Sequence, residues 1–176
     1  MRTDIFTAGG QYFDFLQPDT CVFGLHEVAH ALSNICRFTG HVRTFYSVAQ
    51  HSVLVSHLVP SEHALAGLLH DAAEAFIGDV SRPLKELLPD YKVIEKRVEA
   101  VVFARFGLPA ELPPEVTHAD IRLLATERRD LMPKHASAWE VLRGHPPLDT
   151  VIRPLEPKAA YNAFRLRFVQ ITGRWV

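Results

Sequence analysis

The stretch SEHALAGLLHDAAEAFIG, residues 61–78, combines the apolar pattern of a buried helix with His70, Asp71 and Glu74 in its second half. Its serine and glycine ends are typical helix start and stop residues. Its apolar side chains recur at helical spacing, at Leu65, Leu68, Leu69, Ala72 and Phe76. The stretch therefore predicts a helix that packs against the protein core. Because burying ionisable groups is costly unless they are paired or bind a metal, His70, Asp71 and Glu74 are candidate functional residues.

The rest of the chain also predicts helices rather than a sheet. Apolar residues recur at helical spacing in segments that begin near Leu25, Ser47, Asp90, Pro114 and Pro157. The first of these helices is predicted to end at Gly40, and Ser47 with Gln50 predicts a capping box for the second. No run of alternating apolar and polar residues is long enough to build a sheet core. We therefore expect an all-α helical bundle, with an irregular or short-stranded segment over the first two dozen residues.

Composition and charge narrow the class of protein. The 176 residues are 48% hydrophobic and 22% charged, which fits one globular domain over residues 1–176. A formal net charge of -1 argues against binding of a nucleic acid polymer through a broad basic face. The chain lacks a run of about 20 apolar residues, which a membrane span requires, and it does not begin like a signal peptide. We expect a cytoplasmic protein that binds no membrane.

Two further ionisable residues lie in predicted helices and could join the His70–Asp71 pair. His51 follows the predicted capping box among valines and leucines, and Asp120 shortly precedes an apolar leucine pair. Either residue alone is more simply interpreted as an ordinary helix residue. Together, two histidines and two aspartates suit one divalent transition metal, such as Mn, Co, Fe, Ni or Zn, and leave coordination positions open for water and substrate.

In this order, His51, His70–Asp71 and Asp120 resemble the H…HD…D metal motif of HD-domain phosphohydrolases. The chain is similar to the small single-domain branch that contains bacterial deoxyribonucleoside 5'-nucleotidases and phage deoxynucleoside triphosphohydrolases. In the nucleotidases the second motif reads much like HDAAEAFIGDVSRPLK, here residues 70–85. The resemblance covers about residues 26–130 and implies an HD-domain helical bundle.

The resemblance implies metal-binding and catalytic roles. The metal ligands would be His51, His70, Asp71 and Asp120. Glu74 matches the catalytic carboxylate, which positions the attacking water or exchanges protons with it. Asp79 is placed both with the catalytic groups and at the substrate, where it would meet the sugar hydroxyl. A bound metal lowers the pKa of its water toward neutrality, so such a site can hydrolyse phosphate esters at pH 7.

The resemblance also implies a substrate-binding set. An arginine followed by an aromatic residue precedes the first metal histidine in this branch, and Arg37 and Phe38 match that pair. Arg37 would meet the substrate phosphate, and Lys85 is a further candidate phosphate contact. Phe38 stands where the 5'-nucleotidases have a tryptophan that helps to read the sugar.

These features predict hydrolysis of a (deoxy)nucleoside 5'-monophosphate to nucleoside and phosphate. Two alternatives use the same site: removal of the whole triphosphate from a deoxynucleoside triphosphate, and nucleotide binding without turnover. Hydrolysis of guanosine polyphosphates is disfavoured, because those enzymes usually have Glu-Asp where this chain has Glu74-Ala75. Small HD enzymes are often dimers, so a homodimer or a higher homo-oligomer is also considered.

A competing motif is His26-Glu27-Val28-Ala29-His30, which matches the H-E-x-x-H pattern of zinc metalloproteases. Histidines four residues apart on a helix can share one zinc ion. A peptidase would leave the His51, His70–Asp71 and Asp120 set unexplained, and no third zinc ligand is evident nearby. We therefore favour the phosphohydrolase, in which His26 or His30 would line the nucleotide pocket or simply lie on their helix.

Overall fold

The computed structural model describes residues 2–174, and its main elements are helices. They are α1 (Leu25–Asn34), α2 (Val48–Leu58), α3 (Ala64–Leu69), α4 (Glu74–Ile77), α5 (Arg82–Lys85), α6 (Pro89–Phe106), α7 (Pro114–Leu131) and α8 (Pro157–Thr172). An antiparallel hairpin of β1 (Asp4–Phe6) and β2 (Tyr12–Asp14) precedes them. The all-α prediction is confirmed, including the short strands near the start. Among the described residues, no helix has the length and apolar character needed to cross a lipid bilayer.

The predicted end of the first helix and the predicted capping box of the second need correction. Helix α1 ends at Asn34 rather than Gly40, because Ile35 adopts an extended backbone and Cys36 pairs with Ser47 in an antiparallel β-bridge. The capping box at Ser47 is only half formed. Ser47 Oγ accepts a hydrogen bond from the Gln50 amide, as predicted, but the Gln50 side chain instead bonds to the backbone of the segment before α8. Gln50 therefore anchors that segment rather than its own helix end.

The stretch 61–78 is buried as predicted, but it is not one helix. Helix α3 ends at Leu69, residues 70–73 form a turn, and α4 begins at Glu74. In this turn the Ala72 and Glu74 amides each donate to the carbonyl three residues earlier, at 3.0 Å. Such bonds wind the backbone more tightly than an α-helix does. His70 and Asp71 therefore lie at the junction of two short helices.

Helix α2 is central to the arrangement, because it packs against α1, α3, α7 and α8. The larger core cluster includes Val28, Leu32, Val48, Leu68, Leu69 and Phe164. A smaller cluster, which includes Val55, Val116 and Leu123, lies between α2 and α7. Because α2 contacts both α3 and α7, a side chain in its first turn can meet residues from both helices.

Gly67 lies where α3 approaches α2 closely, and we expect Gly67→Ala to lower the free energy of unfolding by about 1–3 kcal/mol. A Cβ at this position would lie 3.1 Å from both Ser56 Cα and Val59 Cγ2, so the backbone of α2 would have to shift. Helix propensity alone predicts the opposite sign, a gain of about 1 kcal/mol. Urea denaturation of the unaltered protein and of Gly67→Ala decides between a loss and a gain of stability. An equally or more stable variant would show that Gly67 does not limit the α2–α3 distance.

Candidate active site

The predicted metal ligands converge on one point. His51 comes from the first turn of α2, His70 and Asp71 from the α3–α4 junction, and Asp120 from α7. His51 Nε2 lies 3.2 Å from His70 Nε2, 3.1 Å from Asp120 Oδ1 and 3.5 Å from Asp71 Oδ2, and His70 Nε2 lies 3.2 Å from Asp71 Oδ2. These separations suit neighbouring ligands of one ion with bonds of about 2.0–2.2 Å.

The hydrogen bonds of the two histidine rings test whether a metal fits here. His51 Nδ1 lies 2.7 Å from Glu127 Oε1, and His70 Nδ1 lies 2.9 Å from the Gly67 carbonyl. An ionised carboxylate and a carbonyl only accept hydrogen bonds, so in each neutral ring Nδ1 carries the hydrogen. With both rings neutral, two unprotonated Nε2 atoms would face each other at 3.2 Å, and the pKa of His51, raised to about 9, indicates that positive charge is favoured between them. A shared cation relieves their repulsion, and this arrangement of the outer nitrogens is typical of metal-binding histidines.

The charges around His51 favour a cation. Burial and the Arg37 guanidinium lower the pKa of His51, but Glu127 and Asp120 outweigh them and raise it to about 9. Burial opposes ionisation of Asp71, yet His70 and His51 hold the pKa of this carboxyl far below its usual value. The carboxylates are therefore ionised and attract positive charge to the point where the ligand atoms meet.

Glu127 was missed by the sequence analysis. It is fully buried on α7, seven residues after Asp120, which places both side chains on one side of the helix. Its Oε1 accepts from His51 Nδ1, and its Oε2 accepts from Arg37 Nη2 at 3.1 Å. Burial raises the pKa of Glu127, but Arg37 and His51 lower it by more, so the pKa falls below its usual value and the group is ionised. The usable signal was a carboxylate two turns beyond a predicted ligand, on the apolar side of its helix.

Arg37 is held between two carboxylates. Its Nη2 donates to Glu127, and its Nη1 lies 3.5 Å from Asp71 Oδ2. Its side chain is only 11% exposed, and it lines a cavity together with Asp71 and Asp120. Both terminal nitrogens therefore contact the carboxylates around the ligand cluster. Contact with a substrate phosphate, which the resemblance implies for Arg37, stays a prediction.

A cavity of about 970 Å³ opens beside the ligand cluster. This volume is at the upper end of the range typical of small-molecule sites, about 300–1,000 Å³. Its acidic lining consists of Asp71, Glu74, Asp79 and Asp120, and its basic lining of Arg37, Arg82 and Lys85. The remaining lining is mostly apolar, and it includes Phe38, Ile121, Leu124, Met132, Trp139 and Val141. The structure thus brings every predicted catalytic and substrate residue to the same cavity.

Glu74 is a buried carboxylate at the cavity wall. It is 8% exposed, and its Oε2 has no hydrogen-bond partner among the described residues. Burial, together with the charges of Asp71 and Asp79, raises the pKa of Glu74 well above its usual value. Lys85 Nζ lies 3.9 Å from Glu74 Oε1 and 2.5 Å from Glu95 Oε1, so it is already partnered. Glu74 can therefore hold a proton next to the ligand cluster.

The chain has clear relatives among proteins. No family model matches it. It is 48% identical over 158 residues to the uncharacterized protein YfdR of Escherichia coli K12, an alignment that covers 89% of this chain and 88% of YfdR. The chain belongs to the YfdR family. An uncharacterized protein of Rhodobacter capsulatus is 36% identical over 120 residues, which cover 62% of this chain and 61% of that protein. A function for this family has therefore to be argued from the site itself.

The H-E-x-x-H segment does not form a comparable site. Glu27 caps α1, since its carboxylate accepts from the Gly24 amide at 2.8 Å. His26 Nδ1 is hydrogen-bonded to the Tyr161 hydroxyl at 2.9 Å. Across residues 2–174, the cluster of candidate metal ligands contains His51, His70 and Asp120 but neither His26 nor His30. These two histidines line a separate cavity of about 400 Å³, so the peptidase alternative gains no support.

Proposed function

We propose that the chain is an HD-type metal-dependent phosphohydrolase that converts a (deoxy)nucleoside 5'-monophosphate to nucleoside and phosphate. One observation carries the proposal. Candidate metal-ligand atoms of His51, His70 and Asp120 lie within 4.8 Å of one another, Asp71 Oδ2 lies 3.2–3.5 Å from the two histidines, and the wall of the adjoining cavity contains a buried Glu74 oxygen without a partner among the described residues. The order of these residues along the chain supports the HD resemblance, which names nucleotides as the substrate class.

The chain's own residues account for the proton transfers of such a reaction. His51, His70, Asp71 and Asp120 would hold a divalent Mn, Co, Fe, Ni or Zn ion, which would supply Lewis acidity that lowers the pKa of water and neutralises phosphoryl charge. Water oxygen attacks phosphorus, the P–O ester bond breaks, and the leaving oxygen takes a proton. Glu74, whose pKa burial raises, would accept a proton from the attacking water and donate one to the leaving oxygen. Asp79, which lines the same cavity, would meet a sugar hydroxyl.

The charge of the cavity favours a monophosphate over a triphosphate. Four carboxylates line it, and two of its three lysine or arginine side chains already contact carboxylates. Arg37 contacts Asp71 and Glu127, and Lys85 contacts Glu95. A triphosphate brings more negative charge and needs more cations than a single phosphate group, with Arg82 as the further basic residue at this cavity.

Product analysis by chromatography tests the proposal. Purified protein with Mn²⁺ or Co²⁺ is given ribo- and deoxynucleoside mono- and triphosphates, and a chelator-treated sample is the blank. We expect metal-dependent release of nucleoside and phosphate from monophosphates. Release of tripolyphosphate would instead identify a triphosphohydrolase, and binding without turnover a nucleotide-binding protein. His70→Ala should be inactive, whereas His57→Ala, which changes an exposed histidine of α2, should retain full activity.

A further inference from the structure

The cavity has an aromatic part, to which the sequence motifs contribute Phe38 but not Trp139. Trp139 lies in the segment after α7 and borders the cavity together with Phe38. The two ring centroids are 6.2 Å apart, with the planes inclined at 47°. Phe38 in turn lies under the Arg37 guanidinium, whose central carbon is 5.4 Å from the ring centroid. A continuous series of contacts therefore leads from the carboxylates of the ligand cluster through Arg37 and Phe38 to Trp139.

The position of Trp139 is fixed by α7. The Arg128 guanidinium lies 5.2 Å from the centroid of the Trp139 ring, and it donates a hydrogen bond to the Ser137 carbonyl. Trp139 also precedes a short 3₁₀ turn, in which the Leu142 amide donates to the Trp139 carbonyl at 2.9 Å. Trp139 is thus held beside the cavity both by the contact of its indole with Arg128 and by the hydrogen bond of its carbonyl.

We propose that Trp139, with Phe38, forms a stacking surface for the nucleobase of the substrate. This inference rests on the proposed function, because it takes the phosphate to lie at the ligand cluster. The cavity is lined both by charged residues, which include Arg37 and Lys85 beside the carboxylates, and by apolar residues, which include Trp139 and Met132. A ligand that matches both sets carries an anion, which Arg37 and the metal ion of the proposed function would neutralise, and a planar, weakly polar group. A sugar phosphate without a base would leave the aromatic rings without a partner.

Fluorescence tests the stacking without requiring metal or hydrolysis. The chain contains two tryptophans, Trp139 and Trp175, and the latter lies outside the described residues. Trp175→Phe leaves Trp139 as the single indole. The metal-free variant is titrated with the four common deoxynucleosides, and with deoxyribose as the control. We expect a saturable change in emission with at least one nucleoside and none with deoxyribose. No response to any nucleoside would overturn the inference.

Kinetics supply the second test. Trp139→Ala is expected to lower kcat/KM for nucleoside monophosphates about tenfold, since base–aromatic stacking typically contributes that much or more. Turnover of ribose 5-phosphate should not change, and Trp139→Phe should recover most of the loss. Phe6→Ala, which removes an exposed aromatic ring from β1, is the matched control.

Unchanged kcat/KM for nucleotides in Trp139→Ala would overturn the inference. If no phosphate ester is hydrolysed, the proposed function fails, and the fluorescence titration alone decides about Trp139.

Discussion

Glu74→Gln is expected to lower kcat about 10²–10⁴-fold while leaving the fold and the metal affinity unchanged. The substitution keeps the size of a side chain that is 8% exposed, and it leaves all four predicted metal ligands in place. It removes the group that can hold and release a proton next to the ligand cluster. The measurement is kcat with the best monophosphate of the substrate panel, together with the melting temperature and a calorimetric metal titration.

Glu86→Gln is the matched control for this variant. Glu86 follows α5 near the cavity, its side chain is 63% exposed, and it pairs with Lys92. The same chemical change at this position should leave kcat unaltered, because neither Glu86 nor Lys92 lines the cavity. It should also leave the fold intact, because exposed ion pairs contribute little to stability. If Glu74→Gln retained full turnover, the assignment of Glu74 as the proton-transfer group would be wrong.

The helices were predictable from the sequence because their apolar spacing is regular, whereas their interruptions were not. The apolar pattern of residues 61–78 continues through the turn at residues 70–73, so spacing alone predicts one helix. The tighter winding there places His70 and Asp71 toward α2 and α7, and it depends on contacts that no local pattern encodes. The end of α1 was missed for a related reason. Ile35 continues the apolar spacing of the helix, but its extended backbone leads into the β-bridge between Cys36 and Ser47, a contact between distant residues.

Within the site, the residues of a known motif were predictable and their partners were not. His51, His70, Asp71 and Asp120 follow a recognisable order, and the structure brings them together. Glu127 lies in the charged run ERRD, where a solvent-exposed position is the natural expectation. Its spacing from Asp120 places it on the apolar side of α7, but the burial of a carboxylate there follows from the packing of α7 against α2. Trp139 is 101 residues from Phe38 in the sequence, so their contact is likewise a product of the tertiary fold.

Glu127→Ala is expected to lower the free energy of unfolding by about 3–5 kcal/mol, the range typical of removing one partner from a buried ion pair. The change leaves the Arg37 guanidinium and the His51 Nδ1–H without their shared acceptor. Metal affinity should fall about 10–100-fold, because the His51 ring loses the group that orients it. Denaturation of the metal-free protein measures the stability, and calorimetric titration with Mn²⁺ or Co²⁺ measures the affinity.

Glu127→Gln separates orientation from charge in this arrangement. Its amide oxygen can still accept from His51 Nδ1, so the ring keeps its orientation, but the negative charge that stabilises Arg37 is lost. We expect its metal affinity to lie between those of the unaltered chain and Glu127→Ala. Glu115→Gln makes the same change at an exposed position of α7 and should alter neither quantity. Metal affinity that stays constant in both Glu127 variants would mean that His51 is held by its packing on α2 alone, and that Glu127 serves only to neutralise Arg37.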